Sequence, residues 1–415
     1  MMLQINSYFS ARCALGITAL LASSSAWAQI APMPSSSDGQ VVTPYAQYSL
    51  TYDDNVLRLR DAAAAQSLFG DTKMSDSYRT AVGGLRIDKQ ISRQRFRLDA
   101  SANQSRFDHF KQFDNNGRDV KGGWSWAAGH YLTGDIGFQN SQALTPFQNF
   151  RVFQKNIRTQ KSEYAIAALR MHPDWTLRAQ FTRFDLGYSL AAQQVNNFTQ
   201  DVSEVGLDYT ARSGSVAGLQ LRHTNGNFPA STVVNGVTIN NSFTQDEVKA
   251  KVMWLYSGKT RLQFLGGWVQ RARQIGGEGN FNGFNARLIG DWYATGKTAF
   301  NVNLWRELGG VSDLDANYAL TNGASLGATW QSTAKLRFDA YLDYEKRNYN
   351  GATIIAGVTP SGRRDRFEKA TLSLTYMPIT SLSLIAAVFR ESLQSNLDSF
   401  SYVSNGVALT TRYEF

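Results

Sequence analysis

"GVALTTRYEF", Gly406 to Phe415, decides the fold. Val407, Leu409, Tyr413 and Phe415 are apolar or aromatic, while Thr410, Arg412 and Glu414 alternate with them. A period of two belongs to a β-strand with one apolar and one wet face. A strand at this place in the chain predicts a pairing partner elsewhere, near Val42 to Tyr52, where the same period first occurs.

The first residues indicate a compartment. Met1–Ala28 carries one cation, Arg12, then an apolar run from Cys13 to Ala22, then "SSSAWA" with Ala26 and Ala28 at the small-residue positions of a cleavage site. This is the pattern of a secretory signal peptide, and the apolar run is too short to cross a bilayer. Cleavage after Ala28 would leave 415 − 28 = 387 residues and remove the single cysteine. The mature chain then has no disulfide, thiolate nucleophile or cysteine metal site to rely on. Gln29–Gln40, with "PMPSSSDGQ", reads as a flexible periplasmic segment ahead of a barrel at 41–415. No plug or further periplasmic domain is expected.

Hydrophobic residues make up 43% of the chain, aromatics 12%, and Gly outnumbers Pro 34 to 8. No apolar run reaches the roughly 18 residues of a membrane helix. Two exported, aromatic-rich classes fit this composition: a large secreted β protein and an outer-membrane barrel, whose lipid face is diluted at every second residue by a polar lumen face. Alternation along the chain separates them. Phe96, Leu98, Ala100 and Ala102 interleave with Arg95, Arg97, Asp99 and Ser101; Leu336, Phe338, Ala340 and Leu342 interleave with Arg337 and Asp339. The same pattern recurs at Trp175–Thr182, Val248–Trp254, Phe284–Trp292 and Lys369–Tyr376. A soluble sandwich has no need of charges on the second face of nearly every strand.

Connections alternate short and long. Turn-like links fall near Gln90–Arg93, Ala128–Tyr131, Met171–Asp174, Arg212–Ser215, Ser257–Lys259, Ala294–Gly296, Gln331–Ala334 and Met377–Thr380, rich in turn-forming residues. Between them lie longer polar stretches: Asp53–Ser77, Asp108–Asn116, Ser141–Gln160, Gly187–Gln200, Gly226–Asn241, Gln274–Gly279, Gly309–Asp315, Asn348–Arg364 and Glu391–Ser401. Tight periplasmic turns with long outer loops define an all-β, transmembrane antiparallel barrel of the bacterial outer membrane. The count is about 18 strands, or 16 if the glycine-blurred stretches Lys121–Ala128 and Asn317–Thr329 are not strands. Trp175, Trp254, Tyr256, Trp292, Tyr293 and Tyr376 flank short turns, as an interfacial aromatic belt would. Phe415, with Tyr413, resembles the terminal aromatic of bacterial outer-membrane barrels, which implies recognition by the barrel-assembly machinery.

"TPYAQYSLTYDDNVLRLRD", followed by "SDSYRTAVGGLRIDKQISRQRFRLDAS", resembles the amino-terminal signature of EpsL-type outer-membrane proteins of exosortase-associated exopolysaccharide clusters. The match includes Tyr52, Asp53, Asp54, Asn55, Leu57, Arg58 and Leu59 and covers roughly residues 41–105. The resemblance implies a conduit for a secreted polysaccharide chain, working with other exopolysaccharide export components. It brings no catalytic residues with it.

Alternation predicts which charges face the lumen. The cations are Arg86, Arg95, Arg97, Arg178, Arg222, Lys249, Lys251, Arg261, Arg287, Arg337, Lys369 and Arg412; the anions are Asp88, Asp99, Glu204, Asp208, Asp291, Asp339, Asp343 and Glu414. An Arg-rich wall would concentrate anions, and the whole chain agrees in sign, with 42 Lys+Arg against 33 Asp+Glu. Charge spread at strand period on an exported chain does not fit nucleic-acid binding. "YDDN", Tyr52 to Asn55, offers oxygen ligands of the kind calcium takes, but Asp and Asn also open loops for local hydrogen-bonding reasons, and the loop reading is preferred. His109, His130, His172 and His223 show no metal spacing and no nucleophile–base arrangement. No catalytic residue, metal or cofactor is expected. Three functions are compatible with these observations: polysaccharide export, general diffusion of small solutes, and a structural or adhesive surface barrel. The partners expected for the first are outer-membrane lipid, the assembly machinery and the polymer.

Overall fold

Inside a bilayer each backbone N–H and C=O must find a partner within the protein. The chain meets this by closing one antiparallel sheet on itself. The structure, a computed structural model, describes residues 41–148, 151, 153–234, 237–273, 280–310, 316–352 and 362–415. The signal-peptide expectation, Ala26 and Ala28 included, the Gln29–Gln40 segment and the Gln274–Gly279 stretch lie outside these residues.

Eighteen strands form the barrel. They are β1 (Val42–Asp53), β2 (Asp76–Ile91), β3 (Gln94–Phe107), β4 (Asn115–Ala128), β5 (Leu132–Leu144), β6 (Ile157–His172), β7 (Trp175–Tyr188), β8 (Phe198–Thr210) and β9 (Val216–Asn227). After a small loop hairpin of β10 (Thr232–Val234) and β11 (Val237–Ile239) follow β12 (Phe243–Ser257), β13 (Thr260–Arg273), β14 (Phe281–Trp292), β15 (Thr298–Gly310) and β16 (Ala316–Gln331). The last four are β17 (Leu336–Ala352), β18 (Arg364–Ile379), β19 (Leu382–Ser395) and β20 (Tyr402–Glu414). Each pairs with its neighbours in sequence, and β20 pairs with β1 from Tyr45↔Glu414 to Asp53↔Gly406. Phe415 N–H extends the seam by donating to Pro44 O at 2.9 Å. The question posed by the terminal strand is thereby answered, and no sheet edge is left open.

The two stretches that blurred the period are strands, so the count is eighteen rather than sixteen. Their glycines are seats for neighbouring aromatic rings. Gly323 faces Trp305 directly across β15–β16, and a Cβ there would lie 2.2 Å from the indole. Gly122 stands in the same relation to Phe138, at 2.6 Å. Tyr45 over Gly84 and Tyr164 over Gly137 repeat the device on the lumen face. Removing a side chain weakens alternation in the sequence but lets a large ring lie flat across the adjacent strand.

The exterior is apolar. Leu219 and Leu221 are 64% and 62% exposed, and Leu50, Val248, Leu342, Leu372 and Leu409 also face outward. Exposed ring pairs fringe this band beside the short turns: Trp175–Tyr209, Trp292–Phe300 and Trp330–Phe338 have centroids 5.2, 5.3 and 5.2 Å apart. Tyr413 packs edge-on to Phe415 at 4.9 Å in the same fringe. A closed antiparallel barrel, apolar outside and polar within, is the form in which chains cross the outer membrane of Gram-negative bacteria.

Candidate functional site

Inward residues alternate with the lipid-facing ones, and the structure brings the sequence-derived lumen charges together in pairs. Arg95 meets Asp88 at 2.5 Å, Arg261 meets Asp291 at 2.7 Å, and Arg337 meets Asp339 at 2.8 Å. Arg86 lies 3.5 Å from Asp99 and 3.7 Å from Glu414, which also takes Arg412 at 3.0 Å. Glu204 stands between Arg178 at 3.3 Å and Arg222 at 2.5 Å, while Asp208 holds Lys251 at 2.9 Å. Arg97 pairs with Asp135 at 3.3 Å, Arg287 with Glu307 at 2.7 Å, Lys369 with Glu391 at 3.6 Å, and Lys249 with Glu247. Each of the twelve cations therefore has a carboxylate partner. The imbalance read from the sequence is not an unneutralised cationic wall.

Several of those carboxylates were not among the inward residues read from the sequence: Asp135, Glu247, Glu307 and Glu391. Nor were Glu345 and its partner Arg347, 2.6 Å apart. The signal that finds them is the same period continued further up each strand. Glu247 lies two before Lys249, Glu345 two after Asp343, and Glu391 belongs to β19 rather than to the loop that was expected to begin there.

At the outer mouth, long connections fold inward. The β1–β2 connection, 54–75, carries a short helix α1 (Ala62–Phe69), capped by the Asp61 carboxylate on Ala64 N–H at 2.8 Å and ended by Gly70 in the left-handed region, φ 72°. Val56, Leu57, Leu59 and Ala65 of this connection are buried together with Phe107, Phe110 and Phe113, and Phe69, Phe147 and Phe153 pack against them. Phe153 stacks on Phe69 at 4.8 Å and meets Phe113 edge-on at 5.7 Å. This apolar knot draws on three successive outer connections. It forms a cap over the lumen.

Arg58 latches the cap to the wall. Its Nη1 donates to Asp53 at 2.8 Å and its Nε to Glu391 at 3.2 Å, and it also donates to Asn55 O. Asp53 and Glu391 face the lumen, because their neighbours Tyr52, Val388 and Val403 are 49%, 48% and 42% exposed on the other face. Tyr402 donates its hydroxyl to the same Glu391 oxygen at 2.6 Å. Burial alone would push the Arg58 guanidinium down; Asp53 and Glu391 outweigh it and hold it above its ordinary value. The Arg58 backbone sits at φ 56°, a left-handed conformation that costs a non-glycine residue about 1–2 kcal/mol. Strain of this kind persists only where the surroundings over-determine it.

A second bridge crosses the mouth. Arg151, in the β5–β6 connection, donates to Phe400 O at 2.7 Å and to Ser399 O in the β19–β20 connection. Six strands, β20 and β1 to β5, separate these loops along the wall, and β20 to β5 alone is roughly 25 Å at the usual strand spacing. One side chain cannot span that arc, so the loops meet above the lumen. Arg363 adds to the same contact, its guanidinium 3.6 Å from the Phe400 ring centroid.

The "YDDN" oxygens are spent locally. Asp53 accepts from Asn55 N–H at 2.9 Å and Ser404 Oγ at 2.7 Å; Asp54 accepts from Asn405 N–H at 2.7 Å and its side-chain amide at 2.8 Å; the Asn55 side chain accepts from Leu59 N–H at 3.0 Å. Among the described residues no group of three or more His, Cys, Asp or Glu is arranged for a metal. The motif closes the β1–β20 seam and aims the cap inward. Of the histidines, His109 bonds Asp71 at 2.8 Å and lies edge-on to Phe110, His223 bonds Asp246 at 2.7 Å on the outer face, and His130 and His172 lie at short turns.

No family model and no curated protein matches the sequence. Among solved structures the chain is similar to OpdK of Pseudomonas aeruginosa (10% identity, 90% of this chain and 99% of that one, TM-score 0.48). It is similar to OccK2 (OpdF) of the same organism (10%, 90% and 98%, 0.49) and to OccAB3 of Acinetobacter baumannii (9%, 90% and 99%, 0.45).

Proposed function

We propose that the protein is a selective outer-membrane pore for small hydrophilic solutes, its passage narrowed by the cap. The carrying observation is the latched, inward-folded β1–β2 connection: an apolar knot tied to the wall by Arg58, Asp53 and Glu391 restricts what can enter. Beneath it the wall offers paired charges and amide side chains, which exchange hydrogen bonds readily with hydroxyl-bearing or anionic solutes. Planar-bilayer conductance tests the reading. The wild type should pass a small ion current that is enlarged by Arg58→Gln; absence of current in both would remove it.

A second reading, export of a polysaccharide, is favoured by one observation. The residues that resemble the exopolysaccharide-cluster signature, Asp53 to Leu59, are the ones that build the latch. On this reading the cap is a gate that the polymer or an inner-membrane partner displaces. Deleting the gene and measuring released polymer separates the two, since unchanged release leaves only the solute pore.

A further inference from the structure

At the outer rim of the barrel the outward-facing charge is uneven around the circumference. On β7 to β12 the outward Arg183 has an outward carboxylate, Asp201, at 3.6 Å, and a further outward carboxylate, Asp246, bonds His223 at 2.7 Å. On β15 to β20 the arrangement changes. Arg306 donates to the Asn322 side-chain carbonyl at 3.0 Å, Arg366 to Gln394 at 2.6 Å, and Arg390 to Asn405 at 2.9 Å. Lys346 lies 5.9 Å from the Tyr344 ring centroid. Arg306, Asn322, Lys346, Arg366 and Gln394 are direct cross-strand partners in one row. Among the described residues two carboxylates accompany these four cations: Glu368, 3.2 Å from Arg366, and Asp54, which accepts from the Asn405 side-chain amide at 2.8 Å.

Neutral amides orient guanidinium groups without neutralising them. Three arginines held on amides and Lys346 beside its ring outnumber the carboxylates of this row, and above a lipid-facing band containing Leu326, Leu342 and Leu372 they complement an anion at the height of the lipid headgroups. We propose that this sector of the outer rim binds the phosphate groups of a phosphorylated glycolipid in the outer leaflet. Arg guanidinium groups grip phosphate oxygens bidentately, and the apolar band below receives the acyl chains. The site lies on the barrel's exterior and is independent of what passes through the lumen.

The test uses the full-length barrel purified in a neutral detergent and titrated with bisphosphorylated lipid A, or with the same lipid after enzymatic dephosphorylation, bound lipid being counted by native mass spectrometry. The wild type should retain the phosphorylated lipid and lose at least tenfold in affinity for the dephosphorylated one. Arg306→Gln/Lys346→Gln/Arg366→Gln/Arg390→Gln should lose a similar factor, while Arg183→Gln, on the balanced side, should bind as the wild type does. Equal affinity of the wild type for the two lipids would overturn the proposal, and this arm stands even if the fourfold variant does not fold. Binding of inorganic phosphate at millimolar concentration with no lipid preference would also overturn it.

Discussion

Replacing Arg58 by Gln should loosen the cap without unfolding the barrel. The guanidinium is buried against Asp53 and Glu391, with side-chain exposures of 8%, 5% and 4%. Removing one member of a buried ion pair costs about 3–5 kcal/mol. The lower end applies, because Asp53 keeps two other donors and Glu391 keeps Tyr402 and Lys369. About 3 kcal/mol is roughly a hundredfold change in the ratio of detached to docked cap. Gln retains the left-handed backbone strain, so Arg58→Gln isolates the charge. Arg58→Gly relieves about 1 kcal/mol of strain and should detach the cap less often. Hydrogen–deuterium exchange over 54–75 reads the change at Val56 N–H, bonded to Met74 O, and at Leu59 N–H, bonded to the Asn55 side chain. Protection there should fall about a hundredfold while β12 to β16 stay protected. Further replacement of Asp53 by Asn and Glu391 by Gln should restore part of the loss, since fewer unmatched carboxylates remain. Unchanged protection in Arg58→Gln would show that the aromatic knot alone holds the cap and that the latch assignment is wrong.

Three further outcomes follow from separate features. Gly84→Val should destabilise the folded barrel by roughly 1–3 kcal/mol, because the new Cβ meets the Tyr45 ring at 2.3 Å; the heat-modifiable folded band in gel electrophoresis should appear at lower yield, and wild-type yield would refute the seating argument. Glu204→Gln leaves Arg178 and Arg222 sharing a neutral amide, so the reversal potential in a salt gradient should move toward anion selectivity, and an unmoved potential would place Glu204 off the ion path. Deleting Phe415 removes the last seam hydrogen bond and the ring packed on Tyr413; folded protein in the outer membrane should drop several-fold while refolding in detergent is little changed, and equal loss in both would assign the residue to stability alone.

The barrel was legible because its determinants are local. Alternation in β3 or β17 and Gly, Pro, Asn and Ser at turns such as Pro173–Asp174 are properties of a few adjacent residues. The lumen's pairing was only half legible. Arg97 is visibly inward, but its partner Asp135 lies two strands away, on β5, and the pairing depends on register. Strand length hid more: Glu391 falls where a loop was expected, because β19 runs further outward than the apolar band. The cap was not legible at all. Leu57 and Phe110 show no period, and what buries them is the meeting of three connections distant in sequence. The glycines of β4 and β16 misled for a related reason, since the ring that needs the vacancy is on the next strand.

Asp53 bonds Ser404 across 351 positions, and Asp54 bonds Asn405 across the same interval. The hook that tethers the mouth's covering thus grips the strand that closes the barrel. Until that strand pairs, Asp53 and Asp54 lack their Ser404 and Asn405 partners, and the hook is anchored on one side of the seam alone. Fastening of the lid is a certificate that the circle is complete.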